Sequence, residues 1–283
     1  MSLPEKRINH LLEALSSAVS RIADEASPKS VHRLRTTIRR IESLVAFAGP
    51  ELGRKQQRTL EHLAALRKRA GKVRDLDVQM DLLGAIANGS TAGDRHVLAD
   101  VLKRKRSRQV ERLGSAICKL QDSKFFSYLE RIGEKTSAVF PEAMGLPVEQ
   151  ARQQLSGLAA EVTSQQPIKP RFLHQVRIRM KMIRYLAESG DESADQQRFL
   201  NALESAQDAL GAWHDWEALA KIAEKQFGGR VNCPLLMEIT ALLATRYSAA
   251  MAAVAHLFSL DSAAPERKQP GGAEKPKALA RPA

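Results

Sequence analysis

The stretch Pro28-Lys-Ser-Val-His32-Arg-Leu-Arg35-Thr-Thr-Ile-Arg39 returns later in the chain as Pro170-Arg-Phe-Leu-His174-Gln-Val-Arg177-Ile-Arg-Met-Lys181. Pro28/Pro170, His32/His174, Arg35/Arg177, Ile41/Ile183 and Leu44/Leu186 all match at an offset of 142. A second stretch, Gly71-Lys-Val-Arg-Asp75-Leu-Asp77, returns as Gly211-Ala-Trp-His-Asp215-Trp-Glu217 at an offset of 140, with Leu60/Leu200 and Leu63/Leu203 in step. Arg104 and Arg246 are again 142 residues apart. Half of the 283 residues is close to that offset, so the chain reads as one unit duplicated in tandem. An approximate twofold would then set equivalent residues opposite one another at the junction of the halves.

The unit is helical. Ile8, Leu11, Leu12, Leu15, Val19 and Ile22 keep the i, i+3/i+4 spacing of one helix face, as do Val31, Leu34, Ile38, Ile41 and Val45. Leu60, Leu63, Leu66 and Ala70 repeat it, and so do Leu200, Leu203, Ala206 and Leu210. No stretch alternates with period two for long enough to suggest a sheet, and Ala and Leu favour helix. The expected fold is all-α, with two four-helix bundles related by internal pseudo-twofold symmetry. Ser27-Pro28 and Lys169-Pro170 read as helix starts, since proline in the first turn loses no hydrogen bond. The expected organisation is a first bundle over 1–140, a linker at 141–147, a second bundle over 148–260 and a flexible Pro/Gly/Ala/Lys-rich tail over 261–283.

Charge narrows the class of partner. Lys and Arg number 44 against 32 Asp and Glu, a net charge of +12. Such a surplus suits a polyanion. Only 13 residues are aromatic (8 Phe, 2 Trp, 3 Tyr), too few for platforms on which bases stack. Cys118 and Cys233 form no C-x-x-C pattern, which speaks against a structural zinc or a disulfide framework and fits a reducing compartment. The start lacks the apolar run of a signal peptide. Val231 to Phe258, the most apolar stretch, is broken by Pro234, Glu238 and Arg246 and reads as a packed helix, not a membrane span. A soluble cytoplasmic protein is expected.

The surplus is patterned. His32, Arg35 and Arg39 fall within about 60° of one another on a helix, beside the apolar stripe of Val31, Leu34, Ile38 and Ile41. His174, Arg177, Lys181 and Arg184 repeat that stripe beside Leu173, Val176, Met180 and Ile183. A solvated face would mix in acids, yet none stands between Glu161 and Glu188. From Lys29 to Arg74 there are 13 basic residues against three acids, and Lys103-Arg104-Lys105-Arg106-Ser-Arg108 adds a further cluster. Guanidinium forks and ammonium groups both suit phosphate oxygens. Histidine can join them, gaining charge as an anion raises its pKa.

Asp75 with Asp77, and Asp215 with Glu217, have the type of metal ligands. However, His214-Asp215 has Arg74-Asp75 as its first copy, and no further ligands complete a set. Asp75 and Asp215 are expected instead as acceptors that hold an Arg or His of their own bundle, with Trp213 and Trp216 as core. No metal, no cofactor and no catalytic residue is assigned.

Val31-His-Arg-Leu-Arg-Thr-Thr-Ile-Arg-Arg-Ile, Val73-Arg-Asp-Leu-Asp-Val78, Leu173-His-Gln-Val-Arg-Ile-Arg-Met-Lys-Met-Ile-Arg-Tyr185 and Leu210-Gly-Ala-Trp-His-Asp215, in that order, resemble the CHAD family, the conserved histidine α-helical domain. The resemblance runs from about residue 5 to 258. It implies two four-helix bundles with a basic channel between them that binds inorganic polyphosphate, and association with polyphosphate granules. His32, Arg35, Arg39 and Arg40 match the first family motif, and His174, Arg177, Lys181 and Arg184 the second. Arg74, Arg104 and Arg246 complete the expected polyphosphate-binding set. Glu42 stands where the family often has another Arg, which dilutes the first stripe, and Trp216-Glu217 replaces the usual Leu-Asp. The triphosphatase-like domain fused to many relatives has no room here. The expectation is therefore non-catalytic binding of polyphosphate, with no membrane partner, and with a protein of polyphosphate metabolism as a further partner. The alternatives are a metal-dependent phosphohydrolase acting on polyphosphate or nucleotides, and non-specific nucleic-acid binding.

Overall fold

The computed structural model describes residues 3–87, 91–121, 124–143, 147–165, 169–188 and 193–262. Among these the chain is helical throughout, with no strand. The order is α1 (Leu3–Asp24), α2 (Pro28–Ala48), α3 (Arg54–Ala85), α4 (Ala92–Gln121), α5 (Phe125–Ala143), α6 (Pro147–Ser164), α7 (Pro170–Ala187), α8 (Ala194–Phe227) and α9 (Pro234–Ser262).

The first half thus carries five helices where four were expected. The repeat aligns α1 to α4 with α6 to α9, and α5 has no copy. It is held by Phe125, Leu129 and Ile132, which are buried with Leu15, Leu34 and Leu63 in the first core. The expected linker is shorter on its N-terminal side, because α5 continues through residue 143; residues 144–146 lie outside the described residues. The tail expected from residue 261 likewise lies, beyond residue 262, outside them.

Two of the cores are those the periodicity predicts. Val31, Leu34, Ile38 and Ile41 of α2 sit in the first. Leu173, Val176, Met180 and Ile183 of α7 sit in the second, with Trp213. A third core joins the halves. It combines the C-terminal parts of α3 (Leu76, Leu83) and α8 (Trp216, Leu219, Phe227) with the N-terminal parts of α4 (Leu98, Leu102) and α9 (Leu235, Ile239). The two long helices therefore serve two cores each. At the edge of the third core Arg230 Nη1 donates to Asp94 Oδ1 at 2.7 Å, tying the α8–α9 turn to the first turn of α4.

α9 is long and apolar enough to cross a membrane by length and composition. It packs along α8 and against α6, and buries Leu235, Ile239, Ala250, Val254 and Leu257. Contacts between α2 and α7, and between α3 and α8, pair each helix with its own copy, as a twofold relation would.

Candidate functional site

The cationic stripes meet because the starts of their helices are fixed and their apolar sides are committed to the cores. Ser27 caps α2 by accepting the Ser30 N–H at 3.2 Å, and Pro28 occupies the first turn. At the other end Gly49 takes the left-handed conformation (φ 59°), and its N–H donates to Val45 O at 3.0 Å. α7 starts in the same way at Pro170, without a side-chain cap. With one face of each helix in its own core, the adjacent faces confront each other where α2 packs on α7.

Arg35 and Arg39 of α2 lie there beside Arg177 and Lys181 of α7. Burial pushes the Arg35 guanidinium down to about 10; Arg39 and Arg177 add to the effect, and Asp75 and Tyr185 oppose it. Lys181 is pushed down to about 7 by burial, then by Arg177, Arg39 and Arg35, against the pull of Asp215. Arg177 is only 8% exposed and is likewise lowered, chiefly by burial. Its Nε is buried without a hydrogen-bond partner. A guanidinium N–H removed from water and left unpaired costs on the order of 1–3 kcal/mol.

Asp75 and Asp215 are the acids within this group. Asp75 Oδ1 is 3.8 Å from Arg35 Nη2, and Asp215 Oδ1 is 3.3 Å from His214 Nδ1. Two carboxylates against four cations leave the trough positive. The histidines flank it. His32 is held below its ordinary pKa by partial burial and then by Arg74, Arg35 and Arg39. His174 is lowered by burial, then by His214 and Arg177. The His174 and His214 rings stack, with centroids 5.0 Å apart and planes at 23°.

Not every expected residue joins this group. Arg74 does, through His32. Arg184 is held instead by Glu188 at 3.1 Å and Glu204 at 3.6 Å. Arg40, Arg104 and Arg246 are exposed and are in no ion pair among the described residues. Glu42 is matched by Arg67 at 2.6 Å, so it dilutes the first stripe less than its position suggests.

Sequence reasoning missed the part His214 plays against His174. His214 was legible as the neighbour of Asp215, but its stacking partner lies on another helix. Arg106, counted with the basic cluster on α4, has a structural task. Its Nε donates to Asp77 Oδ1 at 2.5 Å and its Nη2 to Ala26 O at 2.7 Å. Asp77 is 1% exposed, so this contact clamps α4 to α3 from within. Trp213 and Trp216 are both buried. Among the described residues no group of three or more His, Cys, Asp and Glu side chains is placed to hold a metal ion.

Two solved structures share this architecture. The CHAD domain from the plant Ricinus communis is 20% identical, with a TM-score of 0.57 over 91% of this chain and 85% of that one. PptA from Streptomyces chartreusis is 17% identical, with a TM-score of 0.50 over 90% and 98%. At such identities the likeness is one of fold. No curated protein sequence matches the chain. The sequence model of the CHAD domain matches residues 6–224, a span that takes in both histidine helices, both aspartate motifs and the trough between α2 and α7: the chain belongs to the CHAD domain family.

Proposed function

We propose that the protein binds inorganic polyphosphate, without hydrolysing it, in the trough between α2 and α7. The observation that carries this reading is the buried, unpartnered Nε of Arg177 beside Arg35, Arg39 and Lys181. Four cations held together, one buried and three half-buried, repel one another, and a chain of phosphates relieves all of them at once. Guanidinium N–H groups would donate to non-bridging oxygens, bidentately where the fork is free. His32 and His174 would donate at either end and gain charge on contact.

The sequestration of both tryptophans in cores supports a polymer without bases, since neither offers a stacking surface. Membership of the CHAD family points the same way through the polyphosphate association that the resemblance implies. Binding without turnover is supported by the roles of Asp75 and Asp215, which are engaged with Arg35 and His214. A cytoplasmic location, on or near polyphosphate granules, belongs to the same proposal.

The test is a parallel titration of polyphosphate, single-stranded RNA and duplex DNA at one salt concentration, with phosphate release assayed with and without divalent metal. The expected result is tightest binding of polyphosphate, unchanged by a chelator, and no release of phosphate. RNA binding as tight as polyphosphate, or metal-dependent release, would overturn the reading.

A further inference from the structure

The positive charge of the first half is not all directed at the trough. Between α3 and the C-terminal part of α4 runs a groove of about 820 Å³. Arg69 and Lys72 of α3 stand on one rim, and Arg112 and Lys119 of α4 on the other. None of the four is in an ion pair among the described residues, and Glu111 is the one carboxylate in the lining. The floor is apolar, made by Ala65, Ala116 and Leu120 over the buried Leu66.

This groove is separate from the trough. Arg35 lies over Gly71, where a β-carbon would stand 3.6 Å from its Nε. Arg69 and His62 project about 160° and 180° away from Gly71 around α3. The duplication separates the two features as well. The trough residues recur in both halves, whereas Arg69 and Lys72 have Ala209 and Ala212 as their copies at the offset of 140, and Arg112 has Val254 at 142. The groove therefore belongs to the first half alone, and whatever it binds need not share the twofold of the trough.

The lining specifies the occupant. Bare phosphate polymer has nothing to set against an apolar floor, while the four exposed, unpaired cations on the two rims complement acid on both flanks of an occupant. From His62 to Lys72 the groove spans about 15 Å, close to three helical turns. A cleft between two helices takes a third helix, which lays its apolar residues at i, i+3, i+4 and i+7 on the floor.

We propose that the α3/α4 groove docks an acidic amphipathic helix of a partner protein. The groove holds this helix while the trough stays free, so the protein can join a second protein to whatever the trough binds. The assignment stands independently of the polyphosphate reading.

The test uses a labelled synthetic peptide of about 15 residues, long enough to form helix, with Leu at i, i+3, i+4 and i+7 and Glu on both flanks. A scrambled peptide of the same composition is its partner. The patterned peptide is expected to bind at least about tenfold more tightly than the scrambled one, and Arg69→Glu with Arg112→Glu to abolish that preference. Arg35→Ala with Arg39→Ala should leave peptide binding intact, and the groove variant should leave polyphosphate binding intact. If the glutamate variant melts early, Arg69→Gln with Arg112→Gln replaces it. Equal binding of both peptides, or loss of peptide binding in the trough variant, would overturn the proposal. So would a fall in polyphosphate affinity as large as the fall in peptide affinity on changing the groove, which would make the groove part of the polymer's path.

Discussion

Lys181 concentrates the conflict between folding and binding at a single residue. Its amine is held near 7, whereas an ordinary lysine titrates near about 10.4. The unfolded chain therefore takes the proton first as pH falls. The folded state is penalised by an amount that grows from about pH 10 down to about pH 7 and is constant below. Lys181→Met removes that penalty while keeping the volume of the stem. It is expected to raise unfolding stability by at least about 1 kcal/mol at pH 7, with the gain fading towards pH 10, as denaturant melts at the two pH values will record. For a polyanion in the trough the sign is reversed, because binding stabilises the charged amine. Wild-type affinity should fall as pH rises through about 7, and the variant should bind more weakly with a flatter pH profile. A gain in stability of equal size at both pH values would assign the effect to packing and not to charge. Proteins commonly hold such strain where they bind.

At the scale of elements, α2 and α7 carry matched stripes but unmatched environments. Arg35 is already paired with Asp75, whereas Arg177 is more deeply buried and its Nε is unsatisfied. If polyphosphate is held by summed phosphate contacts, log affinity falls linearly with log salt, by roughly 0.7 per contact on the single-strand scale. Arg35→Ala with Arg39→Ala, or Arg177→Ala with Lys181→Ala, should flatten that slope by roughly one to two units. The α7 pair should weaken binding at least as much as the α2 pair. Arg58→Ala, an exposed change on α3, is the control expected to do little. Unchanged affinity and slope in both double variants would mean that the stripes are solvated surface and that the polymer lies elsewhere.

Over the whole molecule the third core decides the behaviour. Because Leu76 and Leu98 pack with Trp216 and Leu235, neither half can complete its long helices alone. The chain is expected to unfold in one cooperative transition, with Trp213 reporting on the second core and Trp216 on the third. Trp213→Phe and Trp216→Phe variants, each leaving one fluorophore, should melt at midpoints that agree with each other and with loss of helicity. Trp216→Ala should cost about 3–5 kcal/mol, since it opens a cavity between the halves. Two separated fluorescence transitions in the Phe variants would show that the halves unfold independently.

Much of this was legible in one dimension. The helices follow from i, i+4 bonding and from apolar residues at that spacing, and both are local. The adjacency of the cationic and apolar stripes on α2 and α7 is a property of 3.6 residues per turn, so it could be read at His32, Arg35 and Arg39 before any fold was known. The duplication identified the two stripes as copies and implied that they would meet. Tertiary structure alone decided which charges are free. Arg106 finds Asp77 29 residues away, Arg67 finds Glu42 on another helix, and Arg184 finds Glu204. Each pairing withdraws a cation from a surplus that the sequence presents as uniform. The third core and the role of α5 were hidden for the same reason. Periodicity says which face of a helix is buried, but the partner face is chosen by packing between residues far apart in the chain, where many pairings satisfy the same apolar pattern and only one fills the space.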